Sequence, residues 1–441
     1  MKTEIKKMGI NGEGIGYYKK KPVFIPGAVV GDEVTFSIRE TLPKYYNGQL
    51  VHVDSRSEYR CEPVCKNKKC DGCALKEYTY DAQIKLKRDN FVQALQKYAD
   101  ISPDVIADVV KSDHPYHYRN QCKLPLMERN GKITTGMYQT GSNYAVECPN
   151  CVAHEQPLED MRIMITGILN KYHLPVYTHT SKEGLRYLIL RHLQGQFQLT
   201  LVGTTHDYPK EMIDDLMAAR GMKGICSSVN TRRNPVDLWG ESVRTLAGNP
   251  TITMQFDSFR MDVSPRSFYQ LNSLQAVKLY EGIRKQVPDC KTILELYSGV
   301  GGISFALKEQ AEQIIGVEVI QSAVDNANHN AKMNHCKHIR FICSDVKNEI
   351  THLTKKYSPE TIVVDPPRSG LDDEVVEGLL KSKANRIVYV SCNVSTLGKN
   401  LCDLKKNYQV ERIIPYDMFP NTPWVESITV LVRKKTRRNQ L

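Results

Sequence analysis

Two residues in the last fifty positions have the types and surroundings needed for covalent chemistry on a pyrimidine ring. Cys392 follows the apolar run RIVYV, which predicts a buried strand that ends near this thiol. A thiolate is nucleophilic near neutral pH and can later leave, so it suits addition to carbon 6 of uracil, which activates carbon 5. Glu426, in MFPNTPWVES, lies in an apolar context that should raise the pKa of its carboxyl group. It is therefore the candidate base that removes the carbon 5 proton.

A second group of residues has the pattern of a nucleoside cofactor pocket. KTILELYSGVGG predicts a strand followed by a glycine-rich turn that contains Gly299 and Gly302. Glu318 ends the next predicted strand, where it can accept hydrogen bonds from ribose hydroxyls, and Asp345 ends a third strand, near a bound adenine. The alternative role for each carboxylate is a helix cap. Asp365 precedes two prolines that stiffen its loop, which a hydride-transfer enzyme would not need. The pattern thus favours S-adenosylmethionine over NAD.

The elements that must position these residues can be predicted along the chain. From about residue 256 onward, strand-like runs alternate with helical segments, which indicates a doubly wound, parallel α/β sheet in residues 256–441. Residues 1–58 contain short strands separated by Pro and Gly, which predicts a small β-barrel. Residues 59–255 are expected to form a mixed α+β central domain. A helix is predicted from Tyr78 to Tyr98, with a buried face formed by Ile84, Leu86, Phe91, Leu95 and Tyr98.

The chain length, the net charge and the apolar runs indicate which classes of protein are compatible with this sequence. A chain of 441 residues predicts two to three domains, and the net charge of +11 suits a nucleic-acid partner as well as a solvated surface. Lysines 19–21 adjoin two tyrosines, and residues 433–438 form a basic tail, as in proteins that bind RNA. No apolar run is long enough to span a membrane and no signal peptide is evident, so a cytoplasmic protein is expected. The thirteen cysteines argue against a disulfide framework.

Taken together, the motifs resemble one family. In order along the chain they are Gln270 in FYQLN, then ELYSGVGG, GVE, DPPRSG, SCN and MFPNTPWVES. They resemble the uracil-5 RNA methyltransferases, which modify 23S ribosomal RNA and the T-loop of transfer RNA. NGEGIGYYKKKPVFIPGAVVGDEV resembles the TRAM domain, an RNA-binding barrel found in the ribosomal branch. The resemblance implies a class I methyltransferase domain with Cys392 as nucleophile and Glu426 as base. The cofactor contacts that it implies are Gln270, Tyr297, Gly302, Glu318 and Asp365, with Asp345 nearby.

Ribosomal members of this family often carry a four-iron, four-sulfur cluster. The resemblance implies that the ligands here are Cys65, Cys70, Cys73 and Cys151. Four residues separate Cys65 from Cys70, where the family usually has five, and Cys61 and Cys148 are further candidates. Zinc is a chemical alternative, because four thiolates also suit that ion.

The expected reaction is formation of 5-methyluridine in 23S ribosomal RNA, and transfer RNA is the alternative substrate. A cytosine-5 RNA methyltransferase is less favoured, because such enzymes place the attacking cysteine directly after the proline pair, where this chain has Arg368. A radical enzyme would need a C-x3-C-x2-C motif, which the cysteines do not form. A non-catalytic RNA-binding protein would not need both Cys392 and Glu426. Neither a membrane nor a protein partner is expected.

Overall fold

The chain passes back and forth between two units. The structure is a computed structural model that describes residues 1–139, 142, 144–178, 180–232, 238–240 and 242–435. The first unit consists of Met1–Val64, Cys73–Asp113 and Leu274–Leu441, and the second of Cys65–Gly72 and His114–Ser273. The predicted domain limits after residues 58 and 255 stay predictions. In the predicted basic tail, residues 436–438 lie outside the described residues.

The first unit begins with the predicted barrel. Its strands are β1 (Lys2–Glu4), β2 (Lys7–Met8), β3 (Gly14–Tyr18), β4 (Lys21–Ile25), β5 (Glu33–Thr41) and β6 (Tyr46–Ser55). They form one sheet in the order β1-β5-β6-β4-β3-β2. Because β1 and β2 are nearly consecutive in sequence yet lie at opposite ends of this order, the same stretch of chain closes the sheet on itself. Ile5, Val23, Ile25, Val34 and Phe36 fill the interior.

Helix α1 (Tyr80–Ala99) follows in the same unit. The Thr79 hydroxyl caps its first turn, and it ends at Asp100, which has a left-handed backbone. Leu86, Phe91 and Leu95 are buried as predicted, whereas Ile84 and Tyr98 are only half-buried. Two polar residues that the pattern did not identify, Gln83 and Lys87, are buried as well. None of the helices in the described residues is long and apolar enough to cross a membrane.

The second unit contains a seven-stranded, mostly antiparallel sheet. Its order is β13-β12-β11-β10-β7-β8-β9, and one face is covered by apolar residues of two helices. The elements are β7 (Gln121–Arg129), β8 (Lys132–Tyr138), β9 (Ala145–Glu147), α2 (Gln156–Lys171), β10 (Leu185–Leu193), β11 (Gln196–Gly203), α3 (Lys210–Met217), β12 (Met222–Val229) and β13 (Val243–Gly248). A separate hairpin pairs β14 (Ile252–Gln255) with β15 (Arg260–Val263).

The carboxyl-terminal part of the first unit is the predicted α/β sheet. Its elements are α4 (Ser273–Gln286), β16 (Cys290–Leu296), α5 (Gly302–Ala306), β17 (Ala311–Glu318), α6 (Gln321–Met333), β18 (Ile339–Cys343), α7 (Val346–Tyr357), β19 (Thr361–Val364), α8 (Asp373–Lys381), β20 (Arg386–Ser391), α9 (Val394–Leu404), β21 (Tyr408–Tyr416) and β22 (Glu426–Arg433). The strand order is β18-β17-β16-β19-β20-β22-β21. The first five strands in this order are parallel, as predicted, while β22 runs antiparallel to β20 and β21. This reversed strand matters for the site, because it returns the chain to the carboxyl end of β20.

Candidate active site

Cys392 and Glu426 occupy matching positions on two adjacent antiparallel strands. β20 ends at Ser391, β22 begins at Glu426, and Ser391 pairs with Ser427. Continuing this register by one residue sets Cys392 opposite Glu426. Residues opposite each other in an antiparallel pair project their side chains to the same face. The fold therefore brings the two predicted catalytic residues to one place.

Three acidic groups influence one another at this end of the sheet. Burial raises the pKa of Glu426 to about 8, and the nearby Asp365 contributes to this rise. Burial also raises the pKa of Asp365 to about 7. The pKa of the Cys392 thiol is raised to about 11, first by burial and then by the charges of Glu426 and Asp365. At neutral pH these pKa values keep Glu426 and Cys392 mostly protonated, so Cys392 is a thiol.

Arg368 supplies the opposing positive charge. Its guanidinium group lowers the pKa values of both Glu426 and Cys392, in part offsetting burial. The guanidinium carbon lies 4.0 Å from the ring centroid of Trp424, a cation–π contact. Neither the electrostatic effect of Arg368 nor its contact with Trp424 was predicted from the sequence. The available signals were an arginine directly after the proline pair and an aromatic residue two positions before the candidate base.

Glu318 orients the glycine-rich turn after β16. One of its carboxylate oxygens accepts a hydrogen bond from the Gly299 N–H, and the other accepts one from the Ile320 N–H, each at 3.0 Å. A side chain added at Gly299 would meet no atom within 4 Å, so open space lies beside this backbone. A carboxylate held in this way at a strand end suits recognition of ribose hydroxyls.

The turn itself has features that fit S-adenosylmethionine. Tyr297 has a φ of +64°, which holds the backbone in a left-handed turn directly after β16. A Cβ atom at Gly302 would lie 2.6 Å from the Tyr280 hydroxyl, so a larger residue there would have to displace that side chain. Within the described residues, the buried Ser298 hydroxyl has no hydrogen-bond partner. The Asp365 N–H donates to the Leu296 carbonyl at 3.3 Å, which places the end of β19 beside the turn. This combination fits a polar nucleoside ligand.

Glu295 is a further buried acid that the sequence analysis did not single out. It lies in β16, is 1% exposed, and accepts a hydrogen bond from the Ser304 hydroxyl. Burial raises its pKa to about 8, and the charges of Asp365 and Glu318 add to the rise. Its place within the ELYSGVGG motif was the signal available.

Two other predicted residues, Asp345 and Gln270, each have a local hydrogen bond in the structure. Asp345 is the N-cap of α7, where its carboxylate accepts a hydrogen bond from the Lys347 N–H at 3.0 Å. The alternative capping role is therefore present in the structure. Gln270 belongs to the second unit and is 7% exposed, and its backbone carbonyl accepts from the Asn120 amide at 2.8 Å.

The predicted metal ligands are not assembled as a metal site. Among the described residues, no group of three or more His, Cys, Asp or Glu side chains is arranged to hold a metal ion. Cys148 instead forms side-chain hydrogen bonds with Cys151 and Cys70 in the second unit, and these raise its pKa. The pKa of Cys151 falls to about 3, first through its bond to Cys148 and also through His154. Cys73 belongs to the first unit.

Comparison with known proteins places this fold among enzymes that act on RNA. Residues 249–435 match the tRNA (Uracil-5-)-methyltransferase family. Uncharacterized RNA methyltransferases of Bacillus cereus and Enterococcus faecalis are 33% and 34% identical to this chain, each over 98% of it and over 96% and 97% of their own lengths. The crystal structure of the Pyrococcus abyssi tRNA (uracil-54, C5)-methyltransferase with S-adenosyl-L-homocysteine is 26% identical, with a TM-score of 0.79, and covers 98% of this chain and 99% of that one.

The fold and these similarities define an RNA methyltransferase that uses S-adenosylmethionine. More narrowly, the chain belongs to the tRNA (uracil-5-)-methyltransferase family. The predicted family and the predicted methyltransferase fold with an amino-terminal barrel are thereby confirmed.

Proposed function

We propose that this protein methylates carbon 5 of a uridine in 23S ribosomal RNA, with Cys392 as nucleophile and Glu426 as general base. The observation that carries the proposal is the shared register of β20 and β22, which sets these two residues opposite each other. Covalent activation of carbon 5 requires a nucleophile and a general base beside the same uracil ring. A thiol and a carboxyl group on one face of the sheet meet that requirement.

The first step is addition of the Cys392 thiolate to carbon 6 of the uracil ring. A bond forms between the sulfur and carbon 6, and the electron pair of the carbon 5–carbon 6 double bond moves to the carbonyl oxygen at carbon 4. Because the pKa of Cys392 is about 11, the thiol must give its proton to water before it attacks. Arg368 favours this loss by lowering that pKa.

The second part of the reaction belongs to Glu426. S-adenosylmethionine, when bound, supplies an electrophilic methyl group to carbon 5. The ionised Glu426 carboxylate then takes the hydrogen of carbon 5 as a proton, the double bond forms again, and the sulfur leaves carbon 6 as a thiolate. A base with a pKa of about 8 is well matched to proton transfer near neutral pH.

The cofactor would be held at the carboxyl ends of β16, β17 and β19. We assign Glu318 to the ribose hydroxyls and assign Tyr297, Gly302 and Asp365 to the remainder of the pocket. Gln270 and Asp345 keep their predicted roles as further contacts, which single alanine variants and equilibrium dialysis with radiolabelled S-adenosylmethionine would test.

The chemistry is tested by two variants that should fail at different steps. Cys392→Ala removes the nucleophile, so neither methylated product nor a covalent RNA complex should form. Glu426→Gln keeps addition and methylation but blocks removal of the proton, so a methylated complex should accumulate and survive denaturing electrophoresis. RNA that contains 5-fluorouridine should trap the unaltered enzyme. Methylation by Cys392→Ala, or normal turnover by Glu426→Gln, would contradict the mechanism.

Transfer RNA is the second candidate substrate. The observation that favours it is the similarity to the Pyrococcus abyssi enzyme, which covers 98% of this chain and so extends through the barrel. Mass spectrometry of both RNA classes from cells that lack the protein separates the candidates. Loss of 5-methyluridine from 23S RNA alone supports the first, and loss from transfer RNA alone supports the second. Unchanged levels in both would reject the function.

We also propose that Cys65, Cys70, Cys73 and Cys151 bind a four-iron, four-sulfur cluster, with zinc as the alternative and with Cys61 and Cys148 as further candidate ligands. The support is the family resemblance and the hydrogen bonds of Cys148 with two of these residues, Cys151 and Cys70. Anaerobic purification followed by iron, sulfide and zinc analysis tests it. Cys151→Ser should lower the metal content, whereas Cys122→Ser, at a buried thiol of the same unit, should not. Protein without either metal would reject the centre.

A further inference from the structure

The loop before Glu426 determines where this carboxyl group stands. β21 ends at Tyr416 and β22 begins at Glu426, and these two residues form the last pair of the hairpin. Residues 417–425 connect them. Since the proposed base is the first residue after this loop, a shift of the loop moves the base relative to Cys392.

One anchor of this loop is Gln83 of α1, which is 1% exposed. Its amide nitrogen donates to the Asn421 side-chain oxygen at 3.1 Å, and its amide oxygen accepts from the Asn421 N–H at 2.9 Å. The same nitrogen lies 3.2 Å from the Leu75 carbonyl, and the Leu75 N–H donates to the Asn421 carbonyl at 3.0 Å. Asn421 is thus bonded through both its side chain and its backbone.

A second anchor lies one helical turn further along α1. Lys87 and Asp417 form an ion pair in which both side chains are fully buried. The Lys87 ammonium also donates to the Phe419 carbonyl at 3.1 Å. The Tyr80 hydroxyl donates to the other Asp417 oxygen at 2.8 Å, and the Asp417 N–H donates to the Val110 carbonyl at 3.0 Å.

The spacing of these residues indicates a dedicated face of the helix. Tyr80, Gln83 and Lys87 are separated by three and four residues, so they lie on one side of α1. We call this face the polar stripe. A buried ion pair is weak evidence for stability, because apolar residues of similar volume often stabilise a fold as well or better. Hydrogen-bonding groups have fixed directions, however, so they specify one arrangement of their partners.

We infer that the polar stripe of α1 is a positioning element that holds the loop 417–425, and through it Glu426, in the geometry needed for proton removal. The inference rests on the proposed function. Gln83 and Lys87 act through the loop, so they are positioning residues. Their removal should impair the release step that needs Glu426 and spare the earlier addition of Cys392.

The experiment compares two rates in Gln83→Ala. Adduct formation is measured in a single turnover with 5-fluorouridine RNA, and turnover is measured with normal RNA. We expect turnover to fall roughly 10- to 100-fold, as for a catalytic group displaced by about 1 Å, while adduct formation stays within about twofold. A methylated covalent complex should accumulate on normal RNA. Gln93→Ala, at an exposed position of the same helix, is the matched control and should alter neither rate.

A second variant covers the case in which Gln83→Ala does not fold. Asn421 has a φ of +64°, so Asn421→Gly keeps the backbone geometry and removes only the side-chain partner of Gln83. It should give a smaller drop of the same kind. Equal losses in the rate of adduct formation and the rate of turnover would overturn the inference for either variant. A turnover rate within about twofold of that of the unaltered enzyme would overturn it as well. If the unaltered enzyme forms no adduct with fluorinated RNA, the proposed function itself fails.

Discussion

Two glutamates that are almost equally buried have opposite properties in the two units. Glu426, in the carboxyl-terminal sheet, is 4% exposed and its pKa is raised to about 8. Glu159, in the second unit, is 2% exposed. Although burial raises its pKa, hydrogen bonds from His154 and Arg162 outweigh that effect and lower the pKa to about 2. Burial alone therefore does not separate a candidate catalytic acid from a structural one, whereas the neighbouring charges do.

The difference follows from the surroundings of the two residues. At the end of the carboxyl-terminal sheet, neighbouring strand ends bring acids together, and burial keeps them protonated. In the second unit, Glu159 lies in α2 and is surrounded by its own donors. Arg162 donates to both oxygens of Glu159, to the Thr135 hydroxyl and to the Pro149 carbonyl. The buried acids around Glu426 lower the stability of the fold. The Glu159 site is stable only while all of its hydrogen-bond donors are present.

The largest effect on stability is expected when the hydrogen-bond network around Glu159 loses Arg162. Arg162→Met should lower the free energy of unfolding by about 3–5 kcal/mol, because it leaves the buried Glu159 carboxylate without its arginine partner. Glu426→Gln, the matched change at the other buried acid, should leave that free energy unchanged or raise it. Urea denaturation of both variants measures the contrast. A loss below about 1 kcal/mol in Arg162→Met would remove the distinction between the two acids.

The pH dependence of stability should have opposite signs at the two sites. The folded pKa of Glu295 is about 8, above its usual value of 4.5, so its contribution is complete below pH 4.5 and is lost as the pH rises toward 8. Glu159 behaves in the opposite way, because its contribution is complete above pH 4.5 and is lost as the pH falls toward 2. One proton corresponds to a slope of about 1.4 kcal/mol per pH unit.

Glu295→Gln should therefore flatten the decline in stability between pH 5 and 8 that thermal or urea unfolding would record. Glu312→Gln, at an exposed position of the neighbouring strand, is the control and should leave the slope as it is. An unchanged slope in Glu295→Gln would mean that another group titrates in this range.

A smaller effect is expected at Arg368. Arg368→Met removes the charge that lowers the pKa values of Cys392 and Glu426, so the profile of adduct formation against pH should move to higher pH. Because the guanidinium group is exposed, the rate at neutral pH should fall only about two- to fivefold. Rapid-quench measurements with 5-fluorouridine RNA from pH 6 to 9 would record the shift. Arg340→Met, another exposed arginine of this sheet, should retain the original profile.

The smallest effect concerns a partly buried contact in the sheet of the second unit. The hydroxyl groups of Tyr138 and Tyr187 lie 3.1 Å apart. Tyr138→Phe should lower the free energy of unfolding by about 1 kcal/mol, the net contribution of one hydrogen bond. Tyr144→Phe, which is exposed, should have no effect. If Tyr138→Phe lowered the free energy of unfolding as much as Arg162→Met, the hydroxyl pair would be as important for stability as the Glu159 network.

The parallel sheet could be predicted closely because its signals are local. The apolar runs in β16, β17, β19 and β20 end at the motif residues, so periodicity and motif agree. The antiparallel sheet has no such markers, because its pairing depends on contacts between distant segments. For the same reason the sequence did not reveal that Gln83 and Lys87 are buried. Their partners lie more than three hundred residues away, and an isolated helix pattern places glutamine and lysine in solvent.

The discontinuous first unit has a consequence for synthesis of the chain. Phe91 and Leu95 of α1 pack in the same core as the strands of the carboxyl-terminal sheet, the last of which ends at Arg433. At about 5–20 residues per second, a ribosome needs on the order of tens of seconds to make the intervening chain. During that time α1 has emerged without the strands that bury it. The nascent protein therefore presents the apolar face of this helix to chaperones until translation is nearly complete.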